Sequence, residues 1–177
     1  GRSGSRKRDS MSAAETIRGK RVLVVDDEET VRETLVELLE MCKIDTAGTF
    51  EEAKMKLENN SYDIAVLDIM GVQGYDLLQV ARKRGIPCLM LTAHAMSSEN
   101  LQRSAEEGAA YYAPKEKAVD TPEFIADVLE SIENNKNPWE KMIHRLGSYF
   151  DVRFNGPDWR RKEAAFWKDK MNWKSNM

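Results

Sequence analysis

Only two cysteines, Cys42 and Cys88, occur in the 177 residues. Two thiols cannot make a disulfide framework or a four-thiolate metal site, so both read as reduced, small apolar side chains of a cytoplasmic protein. Long apolar runs are missing too. The longest, Ile86 to Ala93, contains Pro87 and Thr92, whereas a membrane-spanning helix needs roughly 20 consecutive apolar residues. No apolar segment follows the basic stretch Arg6-Lys7-Arg8, which argues against a secretory signal. A glycine-rich phosphate cradle is also absent, since Gly71 and Gly74 fit no such fingerprint.

What is present is the balance of a folded globular chain, 41% hydrophobic and 32% charged. The net charge of −3 is unevenly spread. Residues 1–21 carry seven basic against two acidic side chains, and residues 157–177 six against three, which leaves −11 for residues 22–156. On charge alone this is a solvated acidic surface. It also argues against a grip on nucleic acid, and it suits a site that gathers carboxylates around a cation.

From residue 21 the pattern alternates. Arg21-Val22-Leu23-Val24-Val25 is a short apolar run ending at Asp26-Asp27, and a run apolar on both faces suits a central parallel strand. Residues 28–42 place Val31, Leu35, Leu38, Leu39 and Cys42 at helical spacing. A second strand spans Ile44 to Ala47, and Thr49 with Glu52 predicts a capping box for a helix over 50–59. Residues 63–68 form a third strand ending in Asp68, followed by a helix from Tyr75 to Arg84. Ile86 to Leu91 is a fourth strand ending at Thr92, followed by a helix from Ser97 to Glu107. Ala109 to Ala113 is a fifth strand ending at Pro114-Lys115, and a helix over 122–134 has Pro122 in its first turn. Strict alternation predicts an α/β fold, a doubly wound five-stranded parallel sheet covered by helices on both faces. Ligands of such sheets bind at the carboxyl ends of the strands.

Those ends carry Asp26 and Asp27, Asp68, Thr92 and Lys115. With strand order 2-1-3-4-5, strands one and three are neighbours and their carboxylates converge. Mutual repulsion would raise their pKa values, and a hard cation such as Mg²⁺ removes that cost. A carboxylate beside Mg²⁺ can attack phosphorus, and the Lys115 ammonium and Thr92 hydroxyl suit the remaining phosphoryl oxygens. A phosphatase using paired aspartates would want a second Asp two residues after Asp68, where Met70 stands.

The segments Val24-Val25-Asp26-Asp27-Glu28, Val66-Leu67-Asp68-Ile69-Met70, Leu91-Thr92-Ala93-His94-Ala95 and Gly108-Ala109-Ala110-Tyr111-Tyr112-Ala113-Pro114-Lys115, in that order, resemble the receiver domain of bacterial two-component response regulators. The resemblance covers roughly residues 20–134. It implies a flavodoxin-like fold and a phosphoacceptor, not a conventional enzyme, that assists its own phosphorylation and dephosphorylation. Asp68 would accept the phosphoryl group from a sensor histidine kinase or phosphotransfer protein. Mg²⁺ would be held by Asp27 and Asp68 directly, by Asp26 mostly through water, and by the Met70 carbonyl. Thr92 and Lys115 would sense the phosphoryl group, and Tyr112 stands at the switch aromatic. A downstream protein would read the resulting change in the face made by the fourth helix, fifth strand and fifth helix of the alternation.

Two departures from the family pattern stand out. The loop Gly71-Val72-Gln73-Gly74 has its glycine six residues after Asp68 rather than eight and lacks the usual proline, so it is about two residues short. Glu116 follows Lys115 where the family usually carries a cis proline. With the altered loop, an unphosphorylated receiver-like interaction module is the alternative reading. His94 reads as a loop residue bordering the site, and His144 as an exposed helix residue.

Residues 1–19 read as a flexible N-terminal arm or vector-derived residues, and 135–177 as a helical extension. All four tryptophans, Trp139, Trp159, Trp167 and Trp173, lie in that extension. Trp139, Met142, Ile143 and Leu146 form an apolar stripe that Gly147 would end or weaken, and a last helix is expected over 158–172. The stripes would pack on the receiver; a homodimer or partner surface is the other use. The extension is short for a DNA-binding output domain, and its net +3 over residues 157–177 is a weak nucleic-acid footprint.

Overall fold

The computed structural model describes residues 11–93 and 96–161. The alternation appears in order as β1 (Arg21–Val25), α2 (Glu29–Leu38), β2 (Lys43–Ala47), α3 (Phe50–Asn59), β3 (Ile64–Leu67), α4 (Gly74–Lys83), β4 (Cys88–Thr92), α5 (Ser98–Glu106), β5 (Tyr111–Pro114) and α6 (Thr121–Glu133). It is preceded by α1 (Ala13–Ile17) and followed by α7 (Pro138–Arg153) and a short α8 (Asp158–Arg161).

The five strands form one parallel sheet in the order β2-β1-β3-β4-β5. Every residue of β3 and β4, and Val22 to Val25 of β1, is buried. Such strands are apolar on both faces because helices cover both, and each fully buried Val, Leu or Ile contributes about 1.5–3 kcal/mol. On one side α2 contacts α6; on the other α3 contacts α4, while α5 packs on β5. Leu35 of α2, Leu57 of α3, Leu77 and Leu78 of α4, Leu101 of α5, and Phe124, Ile125 and Val128 of α6 close the core.

Three local expectations change. Residues 12–19 are not an arm throughout: Ser12 and Glu15 make a full capping box, α1 packs on α6, and Ile17 is completely buried. A five-residue helix is too short to stand alone, so the apolar anchor Ile17 and the cap together hold it. At α3, Thr49 Oγ1 accepts from Glu52 N at 3.1 Å, but the Glu52 carboxylate reaches past Thr49 to accept from Gly48 N at 2.9 Å. In the extension, α7 continues through Gly147 to Arg153. The bare Cα of Gly147 leaves room for the Arg160 guanidinium, 3.0 Å from where a Cβ would stand, while Arg160 ion-pairs with Asp151.

Helix α7 is seated specifically. Buried Asn137 caps it by accepting from Trp139 N at 2.9 Å. The Trp139 indole donates to Ala109 O at 2.9 Å, just before β5. Arg145 donates two hydrogen bonds to buried Asp127 on α6, which also accepts from Tyr111 Oη of β5 at 2.6 Å. Phe150 is fully buried and packs on Tyr112, Phe154 and Trp159. The expected helix over 158–172 is seen as far as Arg161; Trp167 and Trp173, like residues 1–10 and His94, lie outside the described residues. His144 is exposed on α7.

Candidate functional site

The site forms where β1, β3 and β5 end. Asp26 follows β1, and its N–H donates to Ala47 O at 3.1 Å, which holds it in the line of the ladder. Its Oδ1 accepts from Glu28 N at 2.9 Å, folding the chain into a side-chain-capped turn ahead of α2. The Arg32 guanidinium, one turn into α2, donates to Asp26 O at 2.7 Å. Asp68 follows β3 and donates its N–H to Val25 O at 3.0 Å, so it sits beside the end of β1.

Lys115 follows β5, at the start of a 3₁₀ turn over Lys115–Asp120. Its ammonium lies 2.7 Å from Asp26 Oδ2, 3.1 Å from Asp68 Oδ2 and 3.3 Å from Glu28 Oε1. Asp26, Asp68 and Lys115 are nearly shielded from water, whereas Glu28 stands at the mouth. Burial raises the Asp68 pKa to about 6; the neighbouring Asp26 charge adds to the rise, and Lys115 opposes it. Desolvation acts to lower the Lys115 pKa, but its bonds to Asp26 and Asp68 outweigh it and hold the ammonium charged, above its ordinary range.

Asp26, Glu28 and Asp68 therefore share one ammonium, with the exposed Asp27 beside them, a surplus of negative charge around a buried floor. Asp26, Asp27 and Glu28 can each bring one oxygen to within 4.8 Å of the others. This donor set is all oxygen, as a hard divalent cation requires. Glu28 is the member that sequence reasoning left out of the ligand set. Its place directly after Asp26-Asp27, at the turn into α2, was the available signal.

The shortened loop after Asp68 closes by local geometry. Gly71 has φ +83° and Gln73 φ +54°, two left-handed residues in three, and Gly74 N donates back to Ile69 O at 3.0 Å. A Cβ at Gly71 would stand 2.5 Å from Asp27 Oδ2, so glycine lets the loop backbone lie directly against that carboxylate. At Gly74 a Cβ would overlap the Asp68 carbonyl oxygen. Val72 turns fully inward and anchors the loop, while the Met70 side chain is exposed.

Thr92 is buried at the end of β4, in register with Pro114 immediately before Lys115. Tyr112 is fully buried, with its hydroxyl accepting from Ser97 N at 3.4 Å, and desolvation raises its pKa. The structure thus brings Asp26, Asp68 and Lys115 into direct contact. Asp27 is held against the Gly71 backbone, Thr92 lies at the same edge of the sheet, and Tyr112 sits beneath α7. No cis peptide bond occurs among the described residues, so the 3₁₀ turn after Lys115 is made with trans bonds.

A doubly wound parallel sheet whose strand ends carry an acidic pocket and an inward lysine is the arrangement that the resemblance to receiver domains implies. The chain belongs to the response regulator receiver domain family, which it matches over residues 22–128. It is 31% identical over 103 residues to the two-component response regulator ARR18 of Arabidopsis thaliana, covering 55% of this chain and 16% of that protein. It is 32% identical over 153 residues to the probable transcriptional regulator ycf27 of Cyanophora paradoxa, covering 84% and 63%. With the DNA-binding response regulator MtrA of Mycolicibacterium smegmatis it shares 31% identity over 143 residues, covering 78% and 60%. These matches span less than two thirds of each relative's length. Among solved structures, a CheY-like receiver domain protein from Methanospirillum hungatei aligns with a TM-score of 0.60 and 31% identity, over 66% of this chain and 98% of that one. No described helix is long and apolar enough to cross a membrane.

Proposed function

We propose that this chain is a phosphoacceptor in two-component signalling, taking a phosphoryl group on Asp68 from the phosphohistidine of a sensor kinase or phosphotransfer protein. The observation that carries the reading is the Lys115 ammonium, bound at once to Asp26 and Asp68 in a pocket with surplus negative charge. An Asp68 carboxylate oxygen attacks phosphorus; the new P–O bond forms as the P–N bond to the donor imidazole breaks, and the imidazole keeps the electron pair and takes a proton.

Asp26, Asp27 and Asp68, with Glu28 at the rim and the Met70 carbonyl, are the oxygen donors that would hold Mg²⁺. A bound Mg²⁺ supplies charge neutralisation between carboxylate and phosphoryl oxygens. The protein's own part is alignment. Lys115 neutralises a developing phosphoryl charge, the Thr92 hydroxyl donates to another oxygen, and the Gly71 turn holds Asp27 in place. A pKa near 6 leaves Asp68 mostly ionised at neutral pH and basic enough to be a competent nucleophile. The chain is then not a conventional enzyme, and its output passes to another protein rather than to nucleic acid, in keeping with the net −11 of residues 22–156.

Incubation with Mg²⁺ and acetyl phosphate, followed by intact mass measurement, tests the reading. A one-phosphate increase in the wild type and none in Asp68→Asn is the expected result. No adduct in either protein overturns it and favours an unphosphorylated interaction module working through the C-terminal helices.

A further inference from the structure

Helix α7 touches the chain on both sides of Lys115. Three residues before it, the Tyr112 ring packs on Phe150 with centroids 5.9 Å apart. Two residues after it, the Lys117 ammonium lies 5.6 Å from the centre of the Tyr149 ring. The same helix is fastened at the other end of β5, where the Trp139 indole donates to Ala109 O, and alongside it, where Arg145 pairs with Asp127. Lys115 itself is fixed by Asp26 and Asp68. The position of the β5 end is therefore set jointly by the carboxylate pocket on one side and α7 on the other.

We propose that α7 is an intramolecular clamp on β5 whose hold depends on the charge in the carboxylate pocket, so that loading Asp68 loosens it. The proposal rests on the phosphoacceptor reading of Asp68. A loaded Asp68 carries more negative charge and more bulk at the point Lys115 now contacts. Lys115 must re-aim, and the turn it begins moves with it, carrying Tyr112 and Lys117 out of register with Phe150 and Tyr149. At that end the Tyr149 hydroxyl is buried with no hydrogen-bond partner among the described residues, and the contact with Lys117 is made through the ring. The Trp139 and Arg145 anchors lie farther from the pocket and keep α7 attached as its far end releases. Coupling of this kind is reciprocal: whatever frees the Tyr149–Phe150 end of α7 must in turn favour loading.

Amide hydrogen–deuterium exchange over residues 138–153 of the full chain tests this, with the protein free, with Mg²⁺ alone, and with Mg²⁺ plus beryllofluoride as an aspartyl-phosphate mimic. Loading is read separately by fluorine NMR of the bound mimic. The expected result is α7 exchange faster by about fivefold or more on loading, with no response in Asp68→Asn. An adduct that forms while α7 exchange stays unchanged overturns the clamp and leaves the phosphoacceptor standing. If no adduct forms, the phosphoacceptor reading fails, and Lys115→Ala decides the clamp without it. Exchange in α7 that rises relative to β3 then supports the clamp, and unchanged exchange overturns it. In the reverse direction, Phe150→Leu, which weakens the contact with Tyr112, must tighten beryllofluoride binding, with Lys117→Ala as the milder variant should the first fail to fold; unchanged affinity overturns the clamp.

Discussion

Replacing Asp68 by Asn should stabilise the protein at neutral pH, although it deletes an ion pair. Burial and Asp26 raise the Asp68 pKa from 3.8 to about 6. The folded state thus prefers the protonated acid, and ionising it above both values costs on the order of 3 kcal/mol, at about 1.4 kcal/mol per pKa unit. Asparagine removes that cost. Lys115 loses its contact with residue 68 as a charge but keeps Asp26 at 2.7 Å, so it is not orphaned. That value already includes the opposing pull of Lys115, so the variant should gain about 1–3 kcal/mol near neutral pH. A raised carboxylate pKa stabilises below the unfolded value and progressively less as pH rises through the folded one. The advantage of the variant should therefore be absent below about pH 4, grow through about pH 6, and level off above it. Urea denaturation in EDTA across this range is the assay, with a matching shift in melting midpoint of roughly 2–4 °C per kcal/mol for a domain of this size. Added Mg²⁺ should narrow the gap by binding the wild type preferentially. A variant less stable than the wild type at neutral pH, or a difference independent of pH, would refute the reasoning.

Lys115→Ala should act in the opposite sense, leaving Asp26 and Asp68 facing one another. A loss of about 3–5 kcal/mol near neutral pH is expected, partly recovered by acidification or by Mg²⁺, and the same urea titrations measure it. Gly71→Ala combines a left-handed backbone with a Cβ 2.5 Å from Asp27 Oδ2. It should cost about 1–3 kcal/mol and weaken Mg²⁺ binding measured by calorimetry, whereas the exposed neighbour Met70→Ala should do neither. Trp139→Phe removes the hydrogen bond to Ala109 O while keeping most of the buried ring, and thermal melting should show a loss of about 1 kcal/mol.

The sheet was readable because its signals are local. A run such as Val22-Leu23-Val24-Val25 has no polar face, so it can only be a strand covered on both sides, and helical spacing in Leu77, Leu78 and Ala81 names the side that covers it. The convergence of Asp26 and Asp68 followed from strand order, because β1 and β3 are neighbours; Lys115 reaches them from the edge strand β5, and its place there was expected from the needs of a phosphoryl group and the family resemblance. What escaped was non-local or depended on one atom. Glu28 joins the site only because the Asp26 side chain folds the chain back on itself. Gly147 reads as a helix end in sequence, yet the space it leaves is filled by Arg160 from beyond the helix. The Asp127–Arg145–Tyr111 junction draws on three elements, and none of its members is distinctive in its own segment. The brief helix Ala13–Ile17 escaped because five residues carry almost no periodicity; its capping box was its one written trace.

The strand order leaves the sheet two outer margins, β2 and β5, and they are finished differently. Along β2 the finish is charge, with Lys43 and Asp45 in a strand of five residues, a poor template for a neighbouring chain. Along β5 it is α7, whose Phe150 packs on Tyr112 of the strand. A fragment cut at residue 134, just past the family match that ends at residue 128, would therefore strip that margin bare. Such a shortened protein should prove sticky and prone to self-association, and its behaviour would say little about the full chain.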